Sequence, residues 1–229
     1  MPLLDQRDVM DEFATRLAAD RPVPALGSTG RAVPLPAGSL WEVLSSRHSV
    51  RSFADRPIAA TDLSELLATA LATERDRWPA RTPDDLTVLM QVHRVRGLAA
   101  GWYEVAPEGT CTRVAGAPEL PDPTAHFDDA PVVLSFGGDV RAAVRRAGVA
   151  GYSDLLVRAA ALAHNSWLLA ISRGFGGCLR GRAQYLSTAA FAAGGPGRRH
   201  LLSLTLGHPA PDPVPPGPRS STDHRPATR

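Results

Sequence analysis

Lysine is missing from this 229-residue chain, so the 25 basic residues other than histidine are all arginines. Arginine keeps its charge at any physiological pH. It forms no Schiff base and accepts no proton as a general base, so lysine-type chemistry is excluded by inventory. Cysteine is almost missing: Cys111 and Cys178 are far apart and too few for a disulfide framework or a cysteine-based zinc site. Reduced thiols in the cytoplasm, and no metal, are the expectation. A surplus of one charge is lacking too; the formal charge of +2 makes no electrostatic case for a dedicated nucleic-acid binder. Long apolar runs are absent: the best one, residues 155–171, is interrupted by Arg158, His164 and Asn165, so no membrane span is expected. The opening residues MPLLDQRDVMDE are acidic, without the apolar centre of a secretory signal. There is no G-x-G-x-x-G turn and no regular βαβ cadence, which argues against a Rossmann unit.

What is present reads as one α+β domain, long enough to enclose a core, with appendages at both ends. Residues 1–38 give an amphipathic helix over 5–19 and then a Pro/Gly-rich connector. Residues 39–209 form the domain. Residues 210–229 are proline-rich and predicted to be disordered or extended over a partner. Within the domain, Ser39 caps a short helix with Glu42 at the reciprocating position. A second helix is expected after Pro57, capped by Thr61, with Leu63, Leu66, Leu67, Ala70 and Leu71 as its apolar stripe. Strands are expected over 86–92, 101–105 and 111–114 as an antiparallel meander, and over 131–137. Helices follow over 139–146 and 152–172, the latter apolar on more than one face and ending at Arg173-Gly174. A helix over 184–193 and a strand over 201–206 complete the domain.

The chemistry-bearing stretch is Arg47-His48-Ser49-Val50-Arg51-Ser52-Phe53. Two guanidinium groups and a hydroxyl within five residues can chelate a phosphate dianion, because arginine offers several fixed donors and a permanent charge. The plain alternative is an arginine-rich surface turn. A second candidate is the run Gly174-Phe175-Gly176-Gly177, either a backbone donor site or a mobile surface loop.

These residues resemble the nitroreductase-like FMN-dependent oxidoreductases. Arg47-His48-Ser49-x-Arg51-x-Phe53, followed by Pro57 and a leucine-rich helix, is similar to that family's opening motif. Residues 86–105, with a turn of the form G-l-x-x-G-l-Y, are similar to its azoline oxidase branch, the SagB-type dehydrogenases. The alanine-rich helix through His164-Asn165, its glycine segment, and Leu204-Thr205-Leu206-Gly207-His208-Pro209 match in the expected order. The resemblance covers roughly residues 40–209 and implies a nitroreductase-like fold. Its mixed or antiparallel central sheet would be flanked by helices, with the long helix at a dimer interface. It further implies FMN held at its phosphate by Arg47, Ser49 and Arg51 with His48 alongside, and Gly176 or Gly177 donating backbone N–H to the flavin ring. The implied activity is two-electron dehydrogenation or reduction of a ribosomally synthesised peptide or small molecule, by a homodimer or with a related subunit.

Two departures bear on that activity. The Pro-Ser-Gly type segment that normally precedes the first core strand is replaced by residues 78–85, in which Thr82 offers a hydroxyl. The lysine of the azoline oxidases has no counterpart, leaving Tyr185 and Tyr152 as the candidate proton-transfer groups. The alternatives are a flavin-free subunit binding a peptide or enzyme, and an NAD(P)H-dependent quinone or nitro reductase. His164, Asn165 and the pair Trp102-Tyr103 read as core or interface residues. Arg180, Arg182 and Arg219 are either further anion contacts or solvated surface charges.

Overall fold

The computed structural model describes residues 40–78, 86–181 and 185–211. The expected N-terminal helix and connector, Ser39, Thr82, Arg182 and Arg219 lie outside them. The elements are α1 (Leu40–Ser46), β1 (Ile58–Ala59), α2 (Ala60–Arg77), β2 (Leu86–Val92), β3 (Val95–Arg96), β4 (Gly101–Val105), β5 (Cys111–Arg113), α3 (Pro123–His126), β6 (Val132–Asp139), α4 (Val140–Ser172), β7 (Gly176–Arg180), α5 (Tyr185–Ala193) and β8 (Arg198–Gly207). Six strands form one sheet in the order β5-β4-β2-β6-β8-β7, every neighbouring pair antiparallel. The meander β2-β4-β5 is as expected, and β2 and β6 are interior.

Alternation along the inner strands explains why they are apolar on both sides. Val88, Met90, Leu134, Phe136, Leu204 and Leu206 face a core shared with α2 and α4, where Leu63, Leu66, Leu67, Leu162 and Trp167 are buried. Leu89 and Trp102 point the other way and pack against Ala190 and Phe191 of α5. Each fully buried side chain of this size contributes about 1.5–3 kcal/mol, which makes the two-sided sheet the main source of stability. Under α5 the apolar layer is interrupted by a buried polar chain. The Gln91 amide donates to Ser135 Oγ (3.4 Å) and Ser187 Oγ (3.2 Å), Ser135 meets Ser203 at 3.3 Å, and Ser203 meets His200 Nε2 at 2.7 Å.

Several local expectations shift. Helix α2 begins at Ala60 with Ala59 as an N-cap that makes no side-chain bond, so Thr61 lies inside the first turn. The reason is that Ile58–Ala59 pairs in parallel with Val95–Arg96, which holds the chain extended until the helix starts. Strand β6 continues through Gly137-Gly138, where a helix start was expected nearby. A Cβ on Gly137 would sit 2.0 Å from the Arg199 carbonyl, so only glycine lets β8 approach there. The two expected helices of residues 139–172 abut as α4, broken at Ala147 and Gly148 by non-helical dihedrals. The α4 C-terminus is where the sequence places it: Gly174 takes φ +79°, and the Gly174 and Phe175 amides bond to the Ile171 and Ala170 carbonyls. Helix α4 is long and apolar enough to cross a membrane by composition, with mean hydropathy 1.3. Its packing on α2 and the sheet makes it the core helix.

Candidate functional site

The arginine motif leaves α1 and runs alongside two segments distant in sequence. Ser49 makes a parallel bridge to Gly177, and Phe53 an antiparallel bridge to Pro209. Three backbone bonds stitch it down: Val50 N–H to Gly177 O (2.9 Å), Ala54 N–H to His208 O (2.9 Å) and Ala210 N–H to Ser52 O (2.9 Å). Val50 turns inward, 9% exposed, while Arg47, Ser49 and Arg51 remain exposed. An extended chain alternates its side chains, so Ser49 and Arg51 flank Val50 on the outer side.

Arg47 lies over the Trp167 ring of α4 with its guanidinium carbon 5.0 Å from the centroid, a cation–π contact that orients the side chain without cancelling its charge. Its charge, added to burial, lowers the pKa of His164. His48 Nδ1 donates to the Ser46 carbonyl at 2.8 Å, fixing the ring beside α1. Arg180 is ion-paired with Asp128, and burial and then the charge of Arg51 lower its pKa. Asp128 and its neighbour Asp129 hold φ of +54° and +58°, uncommon for residues with a Cβ. Asp129 grips Arg94 through Oδ1 (2.6 Å) and its carbonyl (2.7 Å), so both carboxylates of this corner are already engaged with arginines.

Arg47 and Arg51 differ from these arginines. Neither is paired with a carboxylate among the described residues, and the Ser49 hydroxyl makes no hydrogen bond there. Two guanidinium groups and a hydroxyl, unpaired among the described residues and within five positions of one another, have the charge and donor types that a phosphate dianion needs. The residues present therefore fit the phosphate end of a flavin nucleotide.

The glycines need a correction. Gly176 and Gly177 are not in a loop but in β7, an edge strand paired with β8. A Cβ on Gly176 would come within 2.7 Å of Val50 Cγ2, and one on Gly177 within 2.3 Å of the Thr205 carbonyl. Both glycines are thus required by protein packing. Local sequence cannot distinguish a glycine strand from a glycine loop; the bridge to Ser49, over a hundred residues away, settles it.

The structure brings together Arg47, His48, Ser49, Arg51, Gly176 and Gly177. It does not bring the two tyrosines to them. Tyr152 precedes Trp167 by about 22 Å of helix. Tyr185, 83% exposed, opens α5 on the opposite face of the sheet from the main core, with no contact to the arginine segment described. Trp167 went unrecognised as a site residue; its signal was a large aromatic one helical turn beyond His164 on α4. Trp102 and Tyr103 are core residues, 2% and 7% exposed, and Tyr103 donates to the Ala99 carbonyl (2.9 Å), closing its own turn. Among the described residues no cluster of three or more His, Cys, Asp or Glu is placed to hold a metal ion.

Sheet order, the long core helix and the arginine-bearing opening segment define an α+β scaffold with one antiparallel sheet covered by helices. The nitroreductase family model matches residues 44–208, and the chain belongs to that family, whose members are oxidoreductases that generally use flavin. Solved structures with this fold include one from Ralstonia eutropha assigned to the nitroreductases, with 24% identity, TM-score 0.59, and 79% of this chain and 88% of that one covered. Another, from Anabaena variabilis, has 19% identity and TM-score 0.56 over 74% of this chain, which spans only 38% of that longer one. A nitroreductase family protein from Clostridium novyi has 15% identity and TM-score 0.51, with 76% and 86% covered. At these identities the likeness is one of fold. No curated protein matches the sequence.

Proposed function

We propose that this chain is an FMN-dependent oxidoreductase performing two-electron dehydrogenation or reduction. Its substrate would be a ribosomally synthesised peptide or a related natural-product intermediate. The observation that carries the flavin assignment is that Arg47 and Arg51, on either side of Ser49 in the chain, have no carboxylate partner among the described residues. These three would hold the phosphate, with the Trp167 ring keeping Arg47 in place and the strand pairing at Gly177 keeping Ser49 in register. Flavin would supply reversible two-electron transfer at its ring. With no lysine in the chain and neither Tyr185 nor Tyr152 beside the arginine segment, proton delivery would fall to bulk water. The peptide substrate is supported by the resemblance at residues 86–105.

A second copy or a related subunit would complete the groove. Leu40, Trp41 and Leu44 of α1 are exposed at 56%, 76% and 38%, and Val157 of α4 at 59%, apolar surface of the kind a partner covers.

The test is an absorbance spectrum of the purified protein and of Arg47→Ala with Arg51→Ala. Charge-assisted hydrogen bonds contribute about 1.5–3 kcal/mol each, so losing two should weaken flavin retention by about a hundredfold or more. Unchanged occupancy rejects the assignment. A second reading, a flavin-free subunit that binds a peptide or enzyme, is favoured by Gly176 and Gly177 being fully accounted for by packing. Purification without flavin, together with peptide binding, would select it. Turnover of quinones or nitro compounds with NAD(P)H and no peptide would instead identify a general reductase.

A further inference from the structure

A cavity of about 700 Å³ lies at the far end of the sheet from the arginine motif, with Leu71 and Glu74 of α2, Leu86 and Val88 of β2, Arg158 of α4 and Arg198 of β8 in its wall. Leu86 starts β2, whereas the motif sits beyond the Val92 end, about 20 Å along the strand. Its size is that of a small-molecule site, roughly 300–1,000 Å³.

What marks it as more than a packing defect is Arg158. This residue is 4% exposed, donates Nε–H to Glu74 Oε1 at 2.6 Å, and turns toward the cavity. Its remaining guanidinium N–H groups have no hydrogen-bond partner among the described residues. A planar fork with one edge engaged and the rest open is a ready receptor for a carboxylate. The sign of the ligand charge follows from the neighbours. Glu74 is taken by Arg158, and Glu104 by Arg198 at 2.9 Å, so both acidic groups in the wall are already paired. Two further arginines stand at the wall, Arg75 in the field of the exposed Glu108 and Arg113 donating to the Ala100 carbonyl (3.4 Å), which leaves a positive surplus. That surplus favours an anionic ligand over its neutral match. The remaining wall is mostly apolar, with Thr87 and Thr112 set into it.

We propose that this cavity binds a small amphipathic carboxylate, its head on Arg158 and its apolar body against Leu71, Leu86 and Val88. The site is separate from the flavin cradle and does not depend on it.

Calorimetric titration of the full-length protein with octanoate, and with octanol as the neutral match, tests this. Saturable one-to-one octanoate binding is expected, with octanol weaker by about tenfold or more. Because Arg158→Met alone would strand Glu74, the informative variant is Glu74→Leu with Arg158→Met, which should fold and bind both probes alike. Ala106→Phe, which fills the cavity from its wall, should abolish both. Flavin absorbance should equal wild type in every variant, so failure here is distinct from failure of the cofactor assignment. No saturable octanoate binding, or an affinity unchanged by both variants, would show a cavity that holds only water and overturn the proposal.

Discussion

His200 should make the protein acid-labile in a definable window. It lies 7% exposed between Phe191 and Ser203, and burial pushes its pKa from 6.5 down to about 4, with the Leu202 backbone opposing the shift. In the unfolded chain the ring takes a proton near pH 6.5; in the folded chain it does not until about pH 4. Between those values the unfolded state binds more protons, so stability rises with pH across the window and is lost as pH falls. Above pH 6.5 the group contributes no slope, and below pH 4 the loss is complete. The shift corresponds to about 3 kcal/mol in full, and to about 2.5 kcal/mol by pH 4.5. Urea unfolding of wild type and His200→Gln at several pH values isolates this group. Carboxylates, and the other histidines with lowered pKa (His93, His164, His208), titrate in both proteins and cancel in the difference. The variant is expected to lose stability at neutral pH through the Ser203 bond, and then to close the gap or overtake wild type as pH drops to 4.5. A stability difference that stays constant from pH 7 to 4.5 would refute the claim that His200 is buried neutral.

Arg158→Met alone should cost about 3–5 kcal/mol by leaving Glu74 buried and unpaired, whereas the double change with Glu74→Leu should be near neutral, as read by urea midpoints. Gly177→Ala forces a methyl onto the Thr205 carbonyl and should destabilise by about 1–3 kcal/mol or more. Gly181→Ala, with nothing within 4 Å of the added atom, should leave the melting temperature unchanged, and equal effects at the two glycines would contradict the strand assignment.

Much of the fold was legible because local pattern and tertiary demand agree. The span of β2 follows from its apolar composition, the α2 stripe from its helical period, and the end of α4 from Arg173-Gly174. The parallel pair β1–β3 was not legible, since two residues carry no period and their partner is set by the whole chain. Nor was the role of Gly176 and Gly177, whose missing side chains make room for Val50 and for the Thr205 carbonyl, residues on other segments of the chain. Glu74 and Arg158 could have been found: each interrupts an apolar helical stripe, Glu74 after Ala70 and Leu71, Arg158 between Leu155 and Leu162. Opposite charges marooned on two buried faces are expected to meet. At the candidate site, Arg47, Ser49 and Arg51 were visible as types and spacing. Which arginines are neutralised elsewhere, as Arg180 is by Asp128, is a property of the folded surface alone.

The bridges from Ser49 to Gly177 and from Phe53 to Pro209 have a consequence for the order of events in the cell. The ribosome releases the arginine motif long before it makes the strands that anchor it. The pairing that positions Ser49 cannot exist on a nascent or truncated chain, so a cofactor held there would be a certificate that synthesis and folding have both finished.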